Sequence, residues 1–288
     1  MNTKYNINLE VAKIKNLPPL PEVSMKIISA VNDPEISVDD LVKVLSLSPA
    51  LVARLIGLAN SSYFGRAGKI NDLRVAIIQV LGFKLVKCLA LSIVLNVELD
   101  ASQCKLFDDN FFWNHALLTA VIAQKLSVYI DDELMVPGTV YTAGLLLDIG
   151  LLAAVFVFPE QVSLVFENAD STEDAVFTQM QDILGLTHYE MGAMLLETWK
   201  LPDVYQCVVK EFRNIHYEGK QKKLILLLEL SHWIATYIIK NQEDDLPGFS
   251  EYLSKLSLSN DNMQKAVTHV VEEKENINEL AMLLMGKK

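Results

Sequence analysis

The chain has 288 residues, enough for one large domain or two modest ones and ample to bury a core without staples. Hydrophobic residues make up 51% of it, yet the longest apolar runs, at 151–159 and 224–228, fall well short of a bilayer span, so no membrane segment is expected. The net charge of −11 is uneven: residues 1–100 carry 11 Lys/Arg against 9 Asp/Glu and the remainder 14 against 27, a balance that disfavours general binding to a phosphate backbone.

Periodicity is helical along almost the whole chain, and strand alternation is absent. Ser37, with Asp40 three residues on, opens a helix over 38–47. Ser48-Pro49 supplies a cap and a first-turn proline for a second helix running to about Ala59. The turn-forming residues 60–65 end it. Leu73, Ala76, Ile77, Val80 and Leu81 then form an apolar face closed by Gly82, and a largely buried helix follows over 83–95. The polar interval 98–110 is the expected connection between two lobes. Beyond it the spacing predicts helices over 113–128, over 139–158 as one or two, and over 173–184, 188–196 and from Pro202. Residues 223–239 are apolar around most of the circumference, which marks a central buried helix, and two short helices finish the chain. The three cysteines, Cys88, Cys104 and Cys207, are too widely spaced for a disulfide framework or a zinc motif. They are expected as buried thiols, and with a polar N-terminus lacking a leader pattern they suit a reducing cytoplasm.

Chemistry-bearing residues are few. Of the five histidines, each taken alone reads as a hydrogen-bonded side chain rather than a ligand. His115 lies on a helix, His188 opens one, His216 sits in a polar loop and His232 lies inside the most apolar helix. A histidine in such a dry setting needs a specific partner for its ring nitrogens. That partner is either a backbone carbonyl or a pocket shared with Asp148. In the first third, Arg54, Asn60 and Arg74, with Arg66 and Lys69, are candidate contacts for an anion or an acidic partner segment, although a solvated face accounts for the charges as well. The helix pair joined around Ser46–Pro49 imitates a helix-turn-helix, but no basic stripe or stacking aromatics accompany it, so nucleic acid is not an expected partner. Phosphate-loop, nucleophile-elbow, kinase and cyclase motifs are missing.

In their order, several motifs together resemble the HDOD domain, a bacterial signalling relative of the HD-type metal-dependent phosphohydrolases. In the first lobe these are Leu17-Pro18-Pro19-Leu20-Pro21, the run from Ser48 to Leu55, Leu58-Ala59-Asn60-Ser61-Ser62-Tyr63 and the run from Arg74 to Gly82. In the second they are Trp113-Asn114-His115, the run from Ala143 to Gly150, Thr187-His188-Tyr189-Glu190-Met191-Gly192, Trp199-Lys200-Leu201-Pro202 and Ser231-His232-Trp233-Ile234-Ala235. The resemblance covers about residues 15–240.

It implies an all-α, two-lobed HDOD/HD-like fold: an N-terminal helical lobe over 1–100, a degenerate HD-like lobe over 101–240 and a C-terminal extension over 241–288 packing on the second lobe. It also implies a metal set that this chain only partly keeps. His115 matches the first histidine and Asp148 the aspartate of the His-Asp pair, but Leu147 stands where that pair's histidine belongs and has no lone pair to give a metal. His188 and His216 fall where additional ligands occur, and His232 stands in place of a final aspartate. Two histidines and a carboxylate are still a ligand type known for iron or zinc. The favoured expectation is nevertheless a packed remnant pocket holding no metal and bearing no catalytic residue. The function implied is non-catalytic signalling through a protein partner or a small ligand, with the input arriving from a separate molecule. The alternative is a divergent phosphohydrolase, using iron, zinc or manganese, that acts on a nucleotide or cyclic dinucleotide. A third option is a sensor that binds such nucleotides without cutting them.

Overall fold

The structure, a computed structural model, describes residues 21–33, 35–61, 64, 69–168, 173–242 and 246–285. The residues 17–20 of the proline-rich motif, Ser62, Tyr63 and Arg66 lie outside the described residues. Among the described residues there are helices and no strands.

The first lobe contains α1 (Glu22–Asn32), α2 (Val38–Leu45), α3 (Pro49–Ala59), a single turn α4 (Leu73–Ala76) continued by a π turn (Ile77–Leu81), and α5 (Phe83–Glu98). Local chemistry sets these boundaries. Ser37 Oγ accepts the Asp40 amide and Ser48 Oγ the Leu51 amide, with Pro49 in the first turn. Gly82, at φ +77°, stops the π turn in a backbone conformation that other residues reach only with strain. The link from Glu98 to α6 is no free tether, since Leu99, Ala101 and Cys104 are all buried.

The second lobe contains α6 (Asp109–Ser127), α7 (Pro137–Leu146), α8 (Ile149–Val157), α9 (Pro159–Asn168), α10 (Glu173–Leu184), α11 (His188–Thr198), α12 (Asp203–Glu211) and α13 (Lys222–Ile239). The C-terminal segment supplies three helices rather than the expected two: α14 (Ser250–Leu256), α15 (Asn260–Glu272) and α16 (Lys274–Leu284). Ser259 starts α15 through a capping box with Asn262. Two buried helices share the centre. The sequence pointed to α13 alone, but α6 packs against α7, α13, α15 and α16. Small residues permit this closeness: a Cβ on Gly144 of α7 would lie 2.8 Å from the Ala120 backbone of α6.

The 139–158 region is two helices broken at Leu147–Asp148. Taken together, Pro137–Val157 is apolar enough to cross a membrane by length and composition, with mean hydropathy 2.1, but 78% of that stretch is buried inside the fold. It is a core segment of the protein.

The lobes share one continuous core. Trp113 Nε1 of α6 donates to Asn96 Oδ1 of α5 at 2.9 Å, and Cys88 Sγ of α5 lies 2.8 Å from Thr142 Oγ1 of α7. The C-terminal helices pack on α6 and α13 of the second lobe, and α16 also packs on α3 and α5 of the first. Arg54 seals that contact by donating to the Leu284 carbonyl at 3.1 Å. Of the three cysteines, Cys88 and Cys104 are buried, whereas Cys207 is only half-buried beside the Tyr217 hydroxyl.

The anion-contact candidates are corrected by their partners. Arg54 is committed to the Leu284 carbonyl. Asn60 clamps a backbone segment, accepting from Ile70 N at 2.7 Å and donating to Ile70 O at 2.8 Å. Arg74 pairs with Asp39 at 2.7 Å on the surface. None of the three is left aimed at a common anion.

Three outcomes follow for stability. Asn60→Ala should cost about 1–3 kcal/mol in urea unfolding, because it leaves two backbone groups without their partner. Arg74→Ala should cost less than about 1 kcal/mol, as expected of an exposed ion pair. The third outcome concerns Cys88, whose thiol burial pushes up from 9.0 to about 11 against the opposing Thr142 contact. Because the folded value is raised, the unfolded chain ionises first, and stability present below pH 9 is lost as pH climbs toward 11. Cys88→Ser should therefore show a shallower alkaline unfolding limb than the parent.

Candidate functional site

Asp148 occupies the break between α7 and α8, with φ −97° and ψ 13°. An aspartate at a helix start ordinarily accepts an amide of the first turn. Here it makes no such bond, although its backbone carbonyl accepts Leu151 N at 2.9 Å. The carboxylate instead meets imidazoles from three other helices. His115 Nδ1 of α6 lies 3.6 Å from Oδ2, His232 Nδ1 of α13 lies 3.7 Å from the same oxygen, and His188 Nε2 of α11 lies 3.8 Å from Oδ1.

Each histidine is placed by a distinct local device. His188 is the first residue of α11, fixed by a capping box in which Thr187 and Glu190 bond reciprocally. His115 Nε2 lies 3.0 Å from Thr236 Oγ1, and that hydroxyl lies 3.0 Å from the His232 carbonyl. A carbonyl can only accept, so the hydroxyl proton goes to His232 O and the threonine oxygen accepts from His115 Nε2–H. The Nδ1 lone pair of a neutral His115 then faces a carboxylate. This arrangement calls for a positive charge between them, either a proton or a cation.

α11 can bring His188 this close only because of glycine. A Cβ on Gly150 would lie 1.7 Å from the His188 carbonyl and 2.4 Å from Gly192 N. The α8–α11 crossing is therefore a backbone-to-backbone contact.

The cluster is closed as well as close. The Asp148 side chain is 13% exposed and those of His115, His188 and His232 are 8%, 3% and 4% exposed. Rings enclose it: Phe111 stacks at 6.0 Å on His115, Tyr189 lies 3.9 Å from His188 and Phe212 5.6 Å from His232, while the His115 and His232 rings meet edge-on at 4.4 Å. Burial pushes the Asp148 carboxyl up, but the surrounding His115, His232 and His188 outweigh it and hold the group below its ordinary value.

The donor set fits a divalent transition-metal ion. His115, Asp148 and His232 each offer one atom, all within 4.8 Å of one another. Two donors bonded to one ion at ~2.1 Å can stand up to ~4.2 Å apart, which spans the two carboxylate–imidazole distances. When bound with an open position, such an ion acidifies water and polarises a phosphoryl oxygen. His216 is not brought in: it lies exposed in the turn after α12, its amide donating to Asn214 Oδ1. Leu147 is fully buried as part of the hydrocarbon core. Sequence reasoning missed Thr236, whose only signal is its place one helical turn after His232.

An all-helical scaffold with a buried His–Asp cluster at a helix break defines an HD-like protein. Residues 17–215 match the HDOD domain, and the chain belongs to that family. A candidate signal-transduction protein from Marinobacter aquaeolei VT8 has a similar fold, with TM-score 0.78 at 24% identity over 99% of this chain and 67% of its own. An HDOD domain protein of unknown function from Geobacter sulfurreducens aligns at TM-score 0.72 and 20% identity, covering 97% and 99% of the two chains. A candidate phosphohydrolase from Shewanella amazonensis SB2B aligns at 0.74 and 20%, covering 94% and 97%. At these identities the likeness is one of fold. An uncharacterized protein of Treponema pallidum is 26% identical over 217 residues, which is 74% of this chain but only 41% of that protein.

The glycine crossing gives a direct check on how the site is held. Gly150→Ala should destabilise the protein by about 3 kcal/mol or more, since a methyl group meets backbone rather than a yielding side chain. In the same variant the imidazole NMR signals of His188 should shift more than those of His269, which is exposed on α15. Unchanged stability and spectra would show that α8 and α11 do not cross this closely.

Proposed function

We propose that this chain is a non-catalytic bacterial regulatory protein that works by binding a protein partner or a small ligand on its HDOD scaffold, in a cytoplasmic setting. The observation that carries this reading is the closure of the His–Asp cluster. Hydrolysis requires a metal with an open position and space beside it for a phosphoryl group. Four side chains that are 3–13% exposed, walled by Phe111, Tyr189 and Phe212, offer little such space. Leu147 adds hydrocarbon where the family's pattern places a ligand, so one bond fewer would offset the desolvation of an ion. An ion held by His115, Asp148 and His232 would then act as a structural tie between α6, α13 and the α7–α8 break. Three cysteines outside any disulfide suit a reducing compartment.

A second reading, a divergent metal-dependent phosphohydrolase for a nucleotide or cyclic dinucleotide, is favoured by the surviving two-histidine, one-carboxylate donor set. One experiment divides the two. Protein purified without chelator is assayed for iron, zinc and manganese, and for hydrolysis of a nucleotide and cyclic-dinucleotide panel with each metal, alongside Asp148→Ala. The expected outcome is no turnover above the protein-free control. Stoichiometric metal without turnover assigns the ion a structural role. Metal-dependent turnover that Asp148→Ala abolishes overturns the regulatory reading.

A further inference from the structure

A cavity of about 220 Å³ lies at the surface where the start of α6, the end of α13 and the start of α16 meet. Its lining differs in kind from that of the His–Asp cluster. Three asparagines share it: Asn114 donates through Nδ2 to Asn110 O at 3.0 Å, to Asn110 Oδ1 at 3.1 Å and to Asn278 Oδ1 at 2.8 Å. This leaves one amide acceptor, Asn114 Oδ1, and two amide donors, Asn110 Nδ2 and Asn278 Nδ2, without a partner among the described residues. Phe111 lies one helical turn before Asn114 on the same face of α6 and lines the same cavity. Its ring stacks on His115, yet the residue remains 45% exposed, a large apolar surface for a side chain with an interior neighbour.

Carboxamides beside an exposed aromatic ring make up the recognition chemistry of a heteroaromatic base. The ring supplies a stacking platform, and an asparagine amide pairs with an edge that carries both an N–H and a ring lone pair. The charges narrow the choice further. Asp108 and Glu275 both line the cavity, and its lysine, Lys274, is committed to the Ile238 carbonyl at 2.5 Å and to Asn241 Oδ1 at 2.6 Å. Two carboxylates with an occupied ammonium oppose a phosphate. We propose that this cavity binds the base of an uncharged nucleoside, stacked on Phe111 and read by the amides of Asn110, Asn114 and Asn278. The proposal rests on the regulatory reading above and names the class of its small ligand. It also places that ligand outside the His–Asp cluster, to which the Phe111–His115 stack connects it.

The test is calorimetry on the full chain with adenosine and cytidine, whose bases carry an amino donor beside a ring acceptor, and with adenosine monophosphate and a short single-stranded oligonucleotide. At least one of the two nucleosides should bind saturably in the millimolar range or tighter, and the monophosphate should bind several-fold more weakly than adenosine. Phe111→Ala should weaken nucleoside binding about fivefold or more, the low end of what a lost base–aromatic stack costs. Phe111→Leu, which keeps the hydrocarbon bulk, controls for packing: an unchanged melting temperature with lost binding assigns the effect to the aromatic face. The proposal is overturned by absence of nucleoside binding to the folded protein or by preference for the monophosphate or oligonucleotide. None of those results touches the regulatory reading, which falls only on metal-dependent turnover.

Discussion

The second lobe is organised around one carboxylate that has given up its ordinary job. Asp148 starts α8 without capping it, and its oxygens face three imidazoles drawn from α6, α11 and α13. Burying a carboxylate is costly unless opposite charge or hydrogen-bond donors surround it. The placement therefore holds only if three helices distant in sequence converge on one point, and the packing of the lobe follows from that demand. α11 reaches the point through a crossing at Gly150 and Gly192 that tolerates no side chain, and α7 lies on α6 over Gly144 and Ala120. Thr236 locks the remaining pair, accepting from one histidine and donating to the backbone of the other.

Features that depend on neighbours in sequence were legible from the chain, and those that depend on distant partners were not. The caps at Ser37 and Ser48 and the stop at Gly82 are local, and they stand where the residues place them. The all-helical class followed from periodicity, which reports burial of a face without knowing against what. The break at Asp148 was left open because the residues on either side are uniformly apolar, and a tertiary contact is what turns the chain there. The extra C-terminal helix escaped for the opposite reason: α15 and α16 abut at Glu273–Lys274 with no turn-forming residue between them.

The candidate site shows the same division. His115, Asp148, His188 and His232 converge as the motif order implied, whereas His216 stays on the surface. Arg54, Asn60 and Arg74 looked like free polar groups because their partners lie 230, 10 and 35 residues away. A polar residue in a short motif carries no mark of whether the fold will satisfy it, and only the folded chain distinguishes a clamp from a contact.

Three donors beside Leu147, where the resemblance implies a further ligand, have a physical reading that does not require catalysis. A buried aspartate is supported by imidazoles whether or not an ion is present: burial pushes the Asp148 carboxyl up, and His115, His232 and His188 hold it below its ordinary value. The buried Leu147 adds apolar burial, worth about 1.5–3 kcal/mol for a fully buried side chain. Replacing His115, His232 or Asp148 singly would strand the others in a dry interior. Hydrocarbon at position 147 is thus compatible with the fold, while loss of the carboxylate or its close imidazole partners is penalised whether or not the site does chemistry. His232 lies beyond the 17–215 stretch that matches the family, yet it sits as close to Asp148 as His115 does. The cluster is therefore completed by α13, one of the two central helices of the lobe, which ties the polar centre to the core packing on which the fold depends.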